Sequence, residues 1–127
     1  MDAPQTPGDW TYRKIANGSL ASFGGSAAAP LLWLRCDAAA RTLAIARPGG
    51  AGAAVPMRIL TETRERLLDA PPSGDPTPGV AASVPASDML LDAMAFSKGR
   101  FAVETAGMAT LYVPAWPEVT RVIEDCR

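Results

Sequence analysis

The sequence predicts a mainly β protein with minor α content: an antiparallel β-sandwich or sheet carrying one short helix and a C-terminal helix packed on it. Three observations lead there. Most apolar segments alternate with period two and are separated by short turn signals, which favours antiparallel strands over βαβ units. Two segments in the last third switch to helical spacing. The chain has 127 residues, 48% of them hydrophobic, enough for one core. Residues 1–8 are expected to be a flexible leader, native or left after removal of an export signal, and residues 9–127 a single β-rich domain.

The first hairpin is signalled by Asn17-Gly18, a dipeptide that tolerates the positive φ angles of a tight turn. With the turn there, Ile15 faces Leu20 and Tyr12 faces Phe23, so Tyr12, Phe23 and Trp10 share one face and Ile15 and Leu20 the other. Asn17-Gly18-Ser19 is formally also a glycosylation acceptor, but the turn explains it fully. Leu31–Cys36 is an apolar strand with Leu32, Leu34 and Cys36 on one face. Asp37–Ala40 turns the chain into a returning strand over 41–47, and Pro48–Gly52 is a loop. Pro56–Thr61 and Arg66–Ala70 form another hairpin around the charged tip Glu62-Thr63-Arg64-Glu65. From Pro71 to Gly79, four prolines and two glycines predict a loop without regular structure. Val80, Ala82 and Val84 alternate in a short strand.

A short helix then opens at Ser87 or Asp88, carries Leu90, Ala93 and Met94 on its apolar stripe, and ends at Gly99. Residues 100–105 and 109–113 make a hairpin about Ala106-Gly107. The last helix opens with Pro117, and Val119, Val122, Ile123 and Cys126 fall on one face. Cys36 and Cys126, the two cysteines of the chain, therefore both point inward. A bridge between them would close a loop of ~90 residues and stabilise the fold by ~4–5 kcal/mol in the chain-entropy model; it would also imply an oxidising compartment. The alternative is two buried reduced thiols.

Composition excludes several functions. Histidine is absent, which removes Ser-His-Asp and Cys-His catalysis and histidine-based zinc sites. A net charge of -1 with 6% aromatics argues against a nucleic-acid partner, and no apolar run reaches the ~20 residues of a membrane span. No cofactor or metal is expected and no catalytic residue is assigned. Asp88 and Asp92, four apart on a helix, are a carboxylate pair that could divide acid and base roles or hold a cation, but like charges at that spacing are commonly just a solvated helix face and no third ligand presents itself. No serine lies in a nucleophile motif.

Gly8-Asp9-Trp10 opening the first strand, Asp88–Met94 followed by Arg100–Glu104, and Leu111-Tyr112-Val113-Pro114 leading into a helix with Cys126 resemble segments of small exported bacterial proteins of the invasion-associated locus B type. Unlike those proteins, this chain has no cysteine soon after its GDW strand. The resemblance implies a β-rich sandwich, export to the periplasm or cell surface, and no catalytic apparatus. The expectation is thus a periplasmic or secreted non-enzymatic domain, monomeric or weakly dimeric, acting through protein contacts or as an envelope component. The alternatives are a cytoplasmic location, a small-ligand or peptide-binding module rimmed by the Pro71–Gly79 loop, and a carboxylate-based enzyme using Asp88 and Asp92.

Overall fold

The computed structural model describes residues 3–26, 29–50, 52–74 and 77–127. Met1 and Asp2 of the expected leader, Ala51 of the Pro48–Gly52 loop, and Asp75 and Pro76 of the proline-rich loop lie outside the described residues.

Among the described residues, ten strands and two helices follow one another as β1 (Asp9–Ile15), β2 (Gly18–Gly24), β3 (Pro30–Asp37), β4 (Thr42–Pro48), β5 (Val55–Leu60), β6 (Glu65–Ala70), β7 (Pro72–Ser73), β8 (Gly79–Pro85), α1 (Met89–Ala95), β9 (Arg100–Thr105), β10 (Leu111–Pro114) and α2 (Pro117–Asp125). They form a six-stranded sheet in the order β1-β2-β3-β4-β8-β7 and a four-stranded sheet in the order β10-β9-β5-β6. Every strand pairing is antiparallel. The expected mainly β architecture with a short helix and a C-terminal helix is the one found.

Alternation decides which side chains go inward. Phe23, Leu32, Leu34, Leu43, Ile45 and Val80 on the larger sheet join Met57, Ile59, Phe101, Val103 and Val113 on the smaller one, and both helices contribute to the same core. The opposite face of the larger sheet carries a second cluster of Leu20, Trp33 and Ala46, with Ile15 and Ala81 packed against it. The β2–β3–β4 block is therefore apolar on both faces.

The first hairpin is shifted by two residues from its expected pairing. Ile15 faces Gly18, Tyr12 faces Ala21 and Trp10 faces Phe23, so the loop residues are Ala16 and Asn17. A shift of two changes partners but preserves faces, and Trp10 still meets Phe23 edge to face at 5.4 Å between ring centroids. Asn17 alone supplies the positive φ, at 65°. Gly18 is needed for a different reason: a Cβ there would sit 1.9 Å from the Cys36 carbonyl oxygen, so its missing side chain lets β2 approach β3.

Two other expectations are corrected. Pro72–Ser73, placed in a structureless loop, pairs with Val80 and Gly79; proline is tolerated because β7 is an edge strand that needs no donor there. The short helix stops at Ala95 rather than running towards Gly99, with Phe96 as its C-cap. Ser97 pulls the chain away: its hydroxyl donates to the Arg100 carbonyl at 2.7 Å and accepts from the Glu62 amide at 3.0 Å. Two residues of the expected leader, Ala3 and Thr6, make hydrogen bonds to the domain. The Ala3 carbonyl accepts from Arg100 Nη1 at 2.5 Å, and Thr6 exchanges bonds of 2.8 and 2.9 Å with the Tyr112 backbone, covering the open edge of β10.

Candidate functional site

The helix α2 packs on β1, β2 and β3. Its Pro117 occupies the first turn and Val119, Val122 and Ile123 are buried, as the period-3.6 pattern predicts. Cys126, at the C-cap, is bonded to Cys36 with a Cα–Cα distance of 5.5 Å, and both are fully enclosed. The inward-facing cysteines found by two separate periodicities are thus a disulfide joining the last helix to β3.

Asp88 and Asp92 do lie on one helix, but they are not brought together into a reacting pair. Asp88 is the N-cap of α1, and its Oδ1 accepts from the Leu90 amide at 2.8 Å. Both of its oxygens also accept from Arg66 on β6, at 3.1 and 3.0 Å, in the two-pronged geometry that guanidinium favours. These Arg66 bonds hold the Asp88 carboxyl below its ordinary range, against the opposing effect of burial. Asp92 faces elsewhere and accepts from Arg127 Nη1 at 2.7 Å. Arg127 Nε in turn donates to the Ala86 carbonyl at 2.8 Å. Each carboxylate therefore has its own arginine and fastens α1, one to β6 and the other to the end of α2. Among the described residues, no group of three or more cysteine and acidic side chains is placed to hold a metal ion.

Of the proline-rich loop, Pro72, Ser73, Gly74, Pro78 and Gly79 border a space of about 280 Å³ together with Gly49 and Gly50, with no aromatic side chain among the described residues that line it.

Two features escaped sequence reasoning. One is Arg47, which is buried at the end of β4. Its Nη1 donates to Thr105 Oγ1 at 3.1 Å and its Nη2 to the Ala109 carbonyl at 2.7 Å, bridging the two sheets, while Nε has no hydrogen-bond partner among the described residues. Burial lowers its pKa, yet guanidinium stays charged. The signal was available, because the alternation that turns Leu43 and Ile45 inward also turns Arg47 inward.

The other feature is the outward side of α1. Met89 is 61% exposed and Phe96 78% exposed. Together with Ala93 and the β5–β6 turn they line a groove of about 520 Å³. On the far side of the helix Leu90, Leu91 and Met94 are buried, so α1 presents apolar groups on both sides. The turn is built by Thr61, whose hydroxyl accepts from the Thr63 and Arg64 amides at 3.3 and 2.9 Å. This Ser/Thr-type turn sets Arg64 beside Met89, with Nη2 4.0 Å from the thioether sulfur.

No helix among the described residues is long and apolar enough to cross a membrane. Set against known proteins, the chain matches no family model, no curated protein and no solved structure.

Proposed function

We propose that this is a non-enzymatic domain of an oxidising compartment, periplasmic or extracellular, that acts by binding another protein. The observation that carries the reading is the outward side of α1. A phenylalanine and a methionine stand mostly in solvent on a helix whose two carboxylates are committed to holding the fold. Apolar side chains grouped in the open and rimmed by polar ones are characteristic of protein-contact surfaces, and the same carboxylates are engaged where chemistry would need them free. The enclosed Cys36–Cys126 bridge supports export, since disulfides persist where thiols are not kept reduced. The resemblance of the Gly8-Asp9-Trp10 start and the Leu111–Pro114 strand to exported proteins of the invasion-associated locus B type points the same way.

The test is fractionation of the natural host followed by size analysis of the extracted protein. The expected result is an oxidised protein outside the cytoplasm, migrating in a complex that Phe96→Ser releases. A reduced cytoplasmic protein, or one that migrates as a free monomer throughout, would overturn the reading.

A further inference from the structure

The larger sheet ends on β1, which has β2 on one side and no strand on the other. In the β1–β2 hairpin Ile15 and Gly18 close a two-residue loop, so the backbone bonds to β2 are made by Asp9, Thr11, Arg13 and Ile15. The backbone groups of Trp10, Tyr12 and Lys14 point the other way, and among the described residues they bond no other part of the backbone. By contrast, β10 has Thr6 along its edge, and β7 is two residues long and starts with proline.

We infer that β1 pairs with β1 of a second copy of this chain, antiparallel and about a two-fold axis at Thr11, so that the larger sheet continues across both copies. The strand is complementary to itself in that register. Asp9 of one copy lies opposite Arg13 of the other, Trp10 opposite Tyr12 and Thr11 opposite Thr11, and symmetry makes the first two pairs twice. Opposite-charge, aromatic and Thr–Thr pairs are combinations that favour adjacent strands. Asp9, Thr11 and Arg13 are exposed on the outer face, and neither charge is in an ion pair among the described residues. Trp10 and Tyr12 carry backbone groups that point outward, so the same register joins them by ladder hydrogen bonds. The next register that keeps the ladder, with Tyr12 on the axis, sets Arg13 against Thr11, Lys14 against Trp10 and Asp9 against Ile15, and loses the charge pairing. Charges on an edge ordinarily discourage strand addition; here Arg13, which repels an unrelated cationic strand, finds its opposite in a second copy. The contact goes beyond the α1 reading and does not depend on it.

Sedimentation equilibrium of the purified, oxidised protein over a concentration series tests it. A monomer–dimer equilibrium is expected. Asp9→Lys and Arg13→Glu each set like charges opposite one another and should weaken the dimer ~10-fold or more. The double variant Asp9→Lys/Arg13→Glu restores opposite pairs and should return the dimer to near the wild-type constant. Both side chains stand in solvent, so melting temperatures should match wild type, and recovery in the double variant excludes misfolding as the cause of the single losses. Phe96→Ser should leave the dimer unchanged. Protein that stays monomeric at every concentration, a dimer that the single substitutions leave intact, or one that the double variant fails to restore overturns the inference. So does a dimer lost in Phe96→Ser, which places the contact on α1. The protein-binding reading fails separately, when host extracts contain no complex that Phe96→Ser releases.

Discussion

The Tyr12 hydroxyl donates to Asp125 Oδ2, joining the edge strand β1 to the last turn of α2 across 113 residues of sequence. The Arg121 guanidinium carbon lies 4.1 Å from the centre of the same tyrosine ring, a cation–π geometry. Tyr12 is thus gripped at its ring and at its hydroxyl by two residues one helical turn apart. The apolar side of α2 and the disulfide hold the helix from beneath and at its end, while Tyr12 holds its flank. The clasp adds to the pairing with β2 and to the buried Trp10 indole, which donates to the Pro114 carbonyl at 2.7 Å.

Tyr12→Phe keeps the ring under Arg121 and removes the hydroxyl alone. The bond reaches a charged acceptor but lies in solvent, so we expect a loss of about 0.5–1 kcal/mol. The Tyr12 hydrogen bond, the largest influence on Asp125, holds its carboxyl below the ordinary range. A lowered folded-state value means that this stabilisation is present above about pH 4 and disappears as the pH falls through the folded-state value. Urea unfolding at pH 7 and at pH 2.5 checks both points: the wild-type advantage over Tyr12→Phe should be present at the first and smaller at the second.

Asp88 makes a sharper case because one side chain caps a helix and receives a guanidinium. Asp88→Ala removes both and should cost about 1–2 kcal/mol. Asp88→Asn keeps an acceptor for the Leu90 amide and gives up the ion pair, so its cost should be smaller. The Arg66 bonds lower the Asp88 pKa, so this contribution too is held above about pH 4 and lost in acid. Thermal melts of the two variants beside wild type settle the ranking. Equal costs would mean that the ion pair, not the cap, sets the role of Asp88.

Local pattern carried most of the architecture and little of the polar fastening, for a physical reason. Phe23, Leu34, Ile45 and Val122 could be placed because burial imposes a period on neighbouring residues. The turn of the first hairpin could be found, but its register could not. Asn17-Gly18 suits two adjacent loop positions, and what decides between them is the Cys36 carbonyl, whose oxygen lies 1.9 Å from where a Gly18 Cβ would stand, a constraint from a different strand. The α1 stop depends on Ser97 reaching Glu62, 35 residues away. Arg66–Asp88 and Tyr12–Asp125 are likewise pairs between distant segments, and a lone arginine or tyrosine leaves no local mark of its partner. The exposed Phe96 escaped notice for the converse reason, since nothing in an isolated sequence distinguishes an aromatic left in water from one bound for the core.

The division of labour between Asn17 and Gly18 can be tested directly. Asn17 has φ 65°, so Asn17→Gly should change stability by no more than about 0.5 kcal/mol, whereas Asn17→Ala should lose about 1 kcal/mol. Gly18→Ala forces a methyl group into the Cys36 carbonyl and should cost about 2 kcal/mol or more. Denaturant midpoints on the oxidised proteins give the order. If Gly18→Ala were the mild change and Asn17→Gly the severe one, the turn would lie one residue later than it does here.

The attachment of α2 by Cys36–Cys126 sets the largest expected effect. In the chain-entropy model a bridge over 90 residues is worth ~4–5 kcal/mol, and Cys36→Ala/Cys126→Ala should lose most of that. Val122→Ala and Ile123→Ala remove enclosed methyl and methylene groups from the same helix and should each cost ~1–4 kcal/mol. Because these side chains and the bridge hold one element, the costs should not add. Once the bridge is gone, α2 can leave the sheet by local unfolding, and Ile123→Ala then removes less than it does in the bridged protein. Alkylation under denaturing conditions first establishes that protein purified without reductant has no free thiol. A double-mutant cycle by urea unfolding, with hydrogen exchange on the α2 amides, then reads the coupling. Additive costs and unchanged α2 protection after loss of the bridge would mean that packing alone seats the helix, and that the disulfide acts only on the unfolded chain.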